Sequence, residues 1–143
     1  MIFWDVNLWI YAFRTDSPYH KISRDIIQSG LEDPSGFLFS SAAAASFLRL
    51  VTNPSIFEEP SLPREASDFI DYIERHPMKH EGVFDEMAYG IFKHLCLIHN
   101  QKGNKVPDAF LAALALRYDC RFITADTGFS IYRGLDAEII TLH

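Results

Sequence analysis

The order of apolar segments predicts a single α/β domain, a mostly parallel sheet with helices packed on both of its faces. Three observations predict it. Short apolar runs of strand length alternate with longer stretches of helical period along the whole chain. Right-handed crossovers leave few other ways to join such an order into one sheet. The chain has 143 residues, of which 48% are apolar and 12 are Phe, which suits one sizeable core better than two. No internal repeat, low-complexity tract or linker divides it, so residues 1–143 are expected to form one domain.

The first strand is expected at Ile2-Phe3-Trp4, followed by a helix from about Leu8 to Phe13 with Asn7 as its N-cap. Ser17-Pro18 open a second helix, in which Ile22, Ile26 and Ile27 recur at helical spacing and Gly30 lies near the end. "GFLFS", Gly36 to Ser40, is a compact second strand. "AAAASFLRLVTNP" is a helix stopped at Asn53-Pro54, because a residue before proline is pushed out of helical geometry. After a Pro-containing loop over 55–62, Pro63 starts a helix with Ala66, Phe69, Ile70 and Ile73 on one face. "GVF", Gly82 to Phe84, is expected as the third strand, ahead of a helix from Asp85 to about His99 and a polar loop "NQKGNKVP". "VPDAFLAALALRYDCRFITAD" gives a helix headed by Asp108 and a strand Arg121–Thr124 that ends close to Asp126. A loop or short helix through Gly128 and Gly134 leads to a last strand, Glu138 to Leu142.

Composition narrows the function classes. No apolar run reaches the about 20 residues that cross a bilayer. The opening "MIFWDVNLWIYAF" has no basic leader and carries Asp5 and Asn7, which argues against a signal peptide. Cys96 and Cys120 are too few for a disulfide scaffold and read as buried thiols of a cytoplasmic protein. The formal net charge of −6 does not favour a general nucleic-acid binder. A carboxylate cluster would contribute to that charge, however, and bound divalent cations would invert its local field.

Asp5, Asp108 and Asp126 stand at the ends of the most apolar elements, where acids are rare unless something pairs with them. Sheets of this kind bind ligands beyond the carboxyl ends of their strands, where the winding direction reverses. Asp5 and Asp126 end strands on that side. A right-handed crossover also starts the Asp108 helix there. Three anions so close would repel, and their pKa values would rise, unless a cation held them. Oxygen ligands suit Mg²⁺ or Mn²⁺. Each acid also has a plain structural reading: Asp108 as a helix-dipole or cap residue, Asp126 as a turn residue before Thr127-Gly128.

At this point the chain resembles a known family. "FWDVNLWIYAF", "FLRLVTNP" and "VPDAFLAALALRYDCRFITADTGF" look like a PIN domain, and among these the VapC-type toxins of bacterial toxin–antitoxin pairs. The resemblance covers essentially the whole chain. It implies a three-layer α/β/α fold with a five-stranded parallel sheet and a Mg²⁺- or Mn²⁺-dependent ribonuclease. Asp5, Asp108 and Asp126 match the family's metal-binding aspartates, and Asn7 and Thr124 match polar positions that line the site. The resemblance also implies an RNA substrate, a small antitoxin encoded by a neighbouring gene, and a homodimer. One position departs from the pattern. Where the family usually has a Glu three residues before an arginine, this chain has Ser46 before Arg49. Glu86 is the candidate substitute acid.

Ser46 keeps a second reading in view, a catalytically weak or inactive PIN-like domain that binds RNA or a protein partner. Arg14, Arg49 and Lys105, with Lys102 and Arg133, are candidate phosphate contacts, although ordinary solvated charges explain each of them as well. A phosphatase of the haloacid-dehalogenase type would place Asp-x-Asp after the first strand, whereas Asn7 holds the third position here. No Gly-rich loop follows a strand, which disfavours a nucleotide-binding module. His94, Cys96 and His99 do not share one helical face, which disfavours zinc.

Overall fold

The computed structural model describes residues 1–142; His143, the last residue of the expected domain, lies outside them. Five strands form one sheet: β1 (Ile2–Trp4), β2 (Phe37–Phe39), β3 (Lys79–Glu81), β4 (Arg121–Thr124) and β5 (Asp136–Ile139). Their order is β3-β2-β1-β4-β5, and every neighbouring pair is parallel. Helices α1 (Val6–Phe13), α2 (His20–Leu31), α3 (Ser41–Val51) and α4 (Pro63–Glu74) connect the strands of one half, and α5 (Glu86–Ile98) and α6 (Val106–Arg117) the other. From β1 the chain winds outward through β2 to β3, then returns past β1 to β4. Right-handed crossovers therefore place α1 to α4 on one face and α5 with α6 on the other. Contacts follow that division, since α1 packs on α2 and α3, and α5 packs on α6. The winding reverses between β1 and β4.

The central strands are apolar throughout because both faces are covered. Phe3, Phe37, Leu38 and Phe122 are fully buried, and Trp4, Trp9, Phe47 and Phe129 extend the same core. The edge strands read differently. β3 is Lys-His-Glu and β5 is Asp-Ala-Glu-Ile, mostly exposed, with Lys79 paired to Glu81 and Arg121 to Glu138. Charged edges of this kind resist pairing with another sheet.

That chemistry accounts for the misplaced third strand. Gly82-Val83-Phe84 looked apolar enough, but the strand is the polar stretch before it. Gly82 closes the pairing, its N–H donating to the Phe39 carbonyl at 2.7 Å, and a Cβ there would stand 2.8 Å from Leu38 Cγ. Val83 turns outward and exchanges backbone hydrogen bonds with the Tyr118 hydroxyl. The last strand begins at Asp136 rather than Glu138 for the same reason, with polar residues taking edge positions.

Helix starts differ in two places. α1 begins at Val6 because Asp5, not Asn7, is the N-cap: its Oδ1 accepts the Asn7 N–H at 3.4 Å. α2 begins at His20, since Ser17 forms a tight turn in which its Oγ accepts the Tyr19 N–H. Elsewhere caps and breaks fall as the sequence suggests. Ser40 caps α3, Pro63 opens α4, and Asp85 caps α5 while also holding Arg117 at the end of α6 at 2.8 Å.

Candidate active site

The carboxyl ends of β1 and β4 lie side by side, with Trp4 opposite Ile123 and the Asp5 N–H donating to the Ile123 carbonyl at 2.9 Å. That pairing carries Asp5 into the crevice at the point of reversal. Asp5 is 6% exposed, and Thr124 behind it is fully buried. The Thr124 hydroxyl accepts the Asp126 N–H at 3.0 Å and donates to Asp5 Oδ2 at 2.7 Å. Because the oxygen accepts on one side, its proton is committed to Asp5 on the other. One hydroxyl thus joins the ends of both strands.

Asp126 caps a short 3₁₀ turn over Thr127–Ile131, its Oδ1 accepting the Gly128 N–H at 2.8 Å. The turn reading of this residue is therefore correct, and its charge still reaches the other acids. Asp108 stands half-buried in the first turn of α6, 3.8 Å from the Lys105 ammonium. Burial pushes the Asp5 carboxyl up to about 6, opposed by the Thr124 and Asn7 hydrogen bonds and reinforced by the charges of Asp108 and Asp126. Burial also raises Asp108; Lys105 opposes that rise and Asp126 adds to it. Electrostatically the three aspartates form one group.

A cleft of about 150 Å³ opens over Asp5 and Asp108, lined also by Asn7, Ser46 and Arg49; Asp126 lies outside its lining. Leu50, Phe110 and Leu111 supply apolar wall. Ser46 and Arg49 thus line the same cleft as Asp5 and Asp108. Asn7 does so too, exposed at the start of α1. Thr124 does not line the cleft: with no exposed surface, it acts from behind Asp5.

Other expected residues lie elsewhere. Glu86 is exposed on the first turn of α5, outside the cleft lining. Arg14 is buried and occupied, its guanidinium bound to Asp16 at 2.6 Å, the Ser61 hydroxyl at 3.0 Å and the Glu59 carbonyl at 2.9 Å. It also stacks on Phe57, 3.9 Å from the ring centre, so it pins the loop before α4 with four of its five N–H donors committed. Lys102 and Arg133 are exposed, and Cys96 and Cys120 are free thiols.

One neighbour went unassigned in the sequence. Tyr132 is buried, its ring tilted against Phe129 and edge-on to His99, and burial pushes its hydroxyl up to about 12 with the charges of Asp108, Cys96 and Asp126 adding. The only signal was its place in the aromatic run after Asp126.

The donor set suits a hard divalent cation: carboxylate oxygens, one group buried, with the Lys105 ammonium acting on Asp108. Among the described residues, no three His, Cys, Asp or Glu side chains are already drawn into a cage. The likeness to a metal site lies in the shared charge and the common cleft.

Comparison with known proteins bears on the fold and family of the whole chain. The PIN domain family model matches residues 2–135. VapC ribonuclease Mb2897 of Mycobacterium bovis is 31% identical over 131 residues, covering 92% of this chain and 89% of that protein. Ribonuclease VapC31 of Mycobacterium tuberculosis is 32% identical over 135 residues, covering 94% and 95%. Among solved structures, the Mycobacterium tuberculosis toxin VapC20, described as cleaving the sarcin–ricin loop, superposes with a TM-score of 0.69 at 13% identity over 95% of this chain and 98% of that one. VapBC2 from Rickettsia felis, bound to a DNA fragment from its promoter, gives 0.67 at 12% identity over 97% and 98%. With the family model matching residues 2–135, which hold the first four strands and both helical layers, the chain belongs to the PIN-domain family.

Proposed function

We propose that this protein is a Mg²⁺- or Mn²⁺-dependent endoribonuclease and the toxin of a VapBC-type toxin–antitoxin pair. The observation that carries the reading is Asp5: a carboxyl buried at the point of sheet reversal, raised to about 6, and loaded by the charges of two other aspartates. The relatives' names as ribonucleases support the substrate class. Asp5, Asp108 and Asp126 would hold the ion. When bound, it would polarise the scissile phosphate and lower the pKa of a coordinated water.

The protein's own groups do the rest. Thr124 fixes the orientation of Asp5 by donating to Oδ2, while Oδ1 accepts the Asn7 N–H at the start of α1. Asp108, half-buried and raised, is placed to accept the proton of an attacking water. Water oxygen bonds to phosphorus, one phosphorus–oxygen ester bond breaks, and the leaving oxygen takes up a proton. No Ser, Cys or His nucleophile is required.

The partners follow from the relatives: an antitoxin chain from a neighbouring gene, and a second copy of the toxin. The solved structures that share this fold include FitAcB from Neisseria gonorrhoeae, at 18% identity. No helix among the described residues is long and apolar enough to cross a membrane. Ser46 supports the second reading, a weak or inactive domain that binds RNA or protein, because it removes a charge from the cleft.

An RNA cleavage assay on the purified protein decides between the two. Cutting should require Mg²⁺ or Mn²⁺, stop in EDTA, and fall by roughly 10²- to 10⁴-fold in Asp5→Asn. Undiminished cutting by Asp5→Asn, or by wild type in EDTA, would sink the proposal. Growth arrest on expression, relieved by the product of a short adjacent reading frame, tests the pairing.

A further inference from the structure

We infer that Arg49 takes a substrate phosphate in this cleft, and that Ser46 leaves it free to do so. The inference rests on the ribonuclease reading and names the residue that holds the RNA. Most arginines of the chain are occupied. Arg14, Arg64, Arg75, Arg117 and Arg121 each hold a carboxylate within 4 Å. Arg49 forms no ion pair or side-chain hydrogen bond among the described residues, although it lines a cleft that also contains Asp5 and Asp108. Arg24 and Arg133 also lack partners but lie outside that cleft.

The reason lies one helical turn back. Ser46 and Arg49 are three residues apart on α3 and line the same cleft, so the two side chains are neighbours. An acid at position 46 would pair with the guanidinium and hold it against the helix. A serine brings no charge, and the guanidinium keeps its fork of donors. That fork matches two oxygens of one phosphate, which an ammonium does not. In a protein of net charge −6, an unpaired arginine set among aspartates is where a polyanion would find a local foothold. The foothold does not need the metal. The substitution at 46 therefore exchanges ion affinity for direct contact with the RNA backbone.

The test is binding of a short single-stranded oligoribonucleotide in EDTA, followed by fluorescence anisotropy across a range of salt concentrations. Wild type should bind weakly. Arg49→Gln should weaken binding by about three- to tenfold and flatten the salt dependence by about 0.7 in log–log slope, the loss of one phosphate contact to a single strand. Arg49→Lys should restore the slope but not the full affinity. Ser46→Glu should weaken binding as Arg49→Gln does, whereas Ser46→Gln, similar in size and uncharged, should bind like wild type and reports on folding. Arg24→Gln, outside the cleft, should change nothing.

The inference is overturned if Arg49→Gln binds like wild type, if Ser46→Glu binds more tightly than wild type, or if wild type shows no binding in EDTA. Cleavage of the same oligoribonucleotide by the same wild-type preparation in Mn²⁺ is scored beside these curves. If it cuts, the ribonuclease reading stands whatever Arg49 does; if it neither cuts nor binds, both readings fall together.

Discussion

Replacing Asp5 with Asn should make the metal-free protein more stable while abolishing cleavage. The folded-state carboxyl sits at about 6 against an ordinary value of 3.8. Well below pH 3.8 it is protonated in both the folded and the unfolded chain, and its ionisation costs nothing. As pH rises through the window from about 4 to 6, the unfolded chain releases its proton first, and the folded state loses stability relative to it. Above pH 6 both are ionised and the penalty is complete. A difference of just over two pKa units amounts to about 3 kcal/mol. Asparagine carries no such penalty. Its carbonyl oxygen can still cap α1 or accept from Thr124.

Urea denaturation in EDTA between pH 4 and pH 8 measures this directly, with wild type and Asp5→Asn compared at each pH so that other titrations cancel. The stability of Asp5→Asn relative to wild type should climb by about 2 kcal/mol from pH 4 to pH 7. Adding Mn²⁺ at pH 8 should then stabilise wild type, by about 2.7 kcal/mol at a hundredfold excess over the dissociation constant, and leave Asp5→Asn nearly unchanged. A relative stability that stays flat with pH would refute the reasoning, because it would mean that Asp5 is neither buried nor crowded by Asp108 and Asp126. A metal response in Asp5→Asn equal to that of wild type would remove Asp5 from the ion site.

Three further outcomes follow from the same geometry. Thr124→Val keeps the shape but removes the proton given to Asp5 and the acceptor of the Asp126 N–H; it should cost about 2 kcal/mol at pH 8, less at pH 5 where Asp5 is protonated, and lower kcat with little change in KM. Lys105→Gln removes the cation beside Asp108 and should tighten Mn²⁺ binding by about two- to fivefold in calorimetry, since the ammonium opposes the same charges that the ion would meet. Gly82→Ala forces a methyl against Leu38 at 2.8 Å and should lower stability by about 1–3 kcal/mol in the same urea assay, without altering the metal response.

The parts of this fold that were readable before any coordinates are the parts where apolar content and position agree. β1, β2 and β4 are buried on both faces, so Ile2-Phe3-Trp4, Phe37-Leu38-Phe39 and Arg121–Thr124 announce themselves. Edge strands obey a different rule, which is why Lys79-His80-Glu81 was passed over for the more apolar Gly82-Val83-Phe84. Acids in apolar surroundings were equally legible, and Asp5 and Asp108 do line one cleft. What a sequence lacks is the direction of a hydrogen bond. Nothing in "FITAD" says that Thr124 points back into the core toward Asp5 rather than outward, nor that Asp5 rather than Asn7 caps α1. Arg14 misled for a related reason: a basic residue at the end of a helix looks like a phosphate contact until Asp16, Ser61 and Glu59 are seen around it.

The serine at position 46 has consequences beyond one lost ligand. An acid at position 46 would pair with Arg49 and still add its charge to a group already raised by burial and by two like charges, and the folded state would carry part of that energy at neutral pH. In the proposed ion site, Ser46 would leave the metal-free cleft less strained and would hold an ion less tightly. The two effects have one origin and the same sign dependence on pH. Ser46→Glu should therefore lower metal-free stability above pH 6 and increase the stabilisation that Mn²⁺ brings, both in one titration. If the variant lost stability without gaining a larger metal response, the cleft over Asp5 and Asp108 would be an acidic pocket and not an ion site.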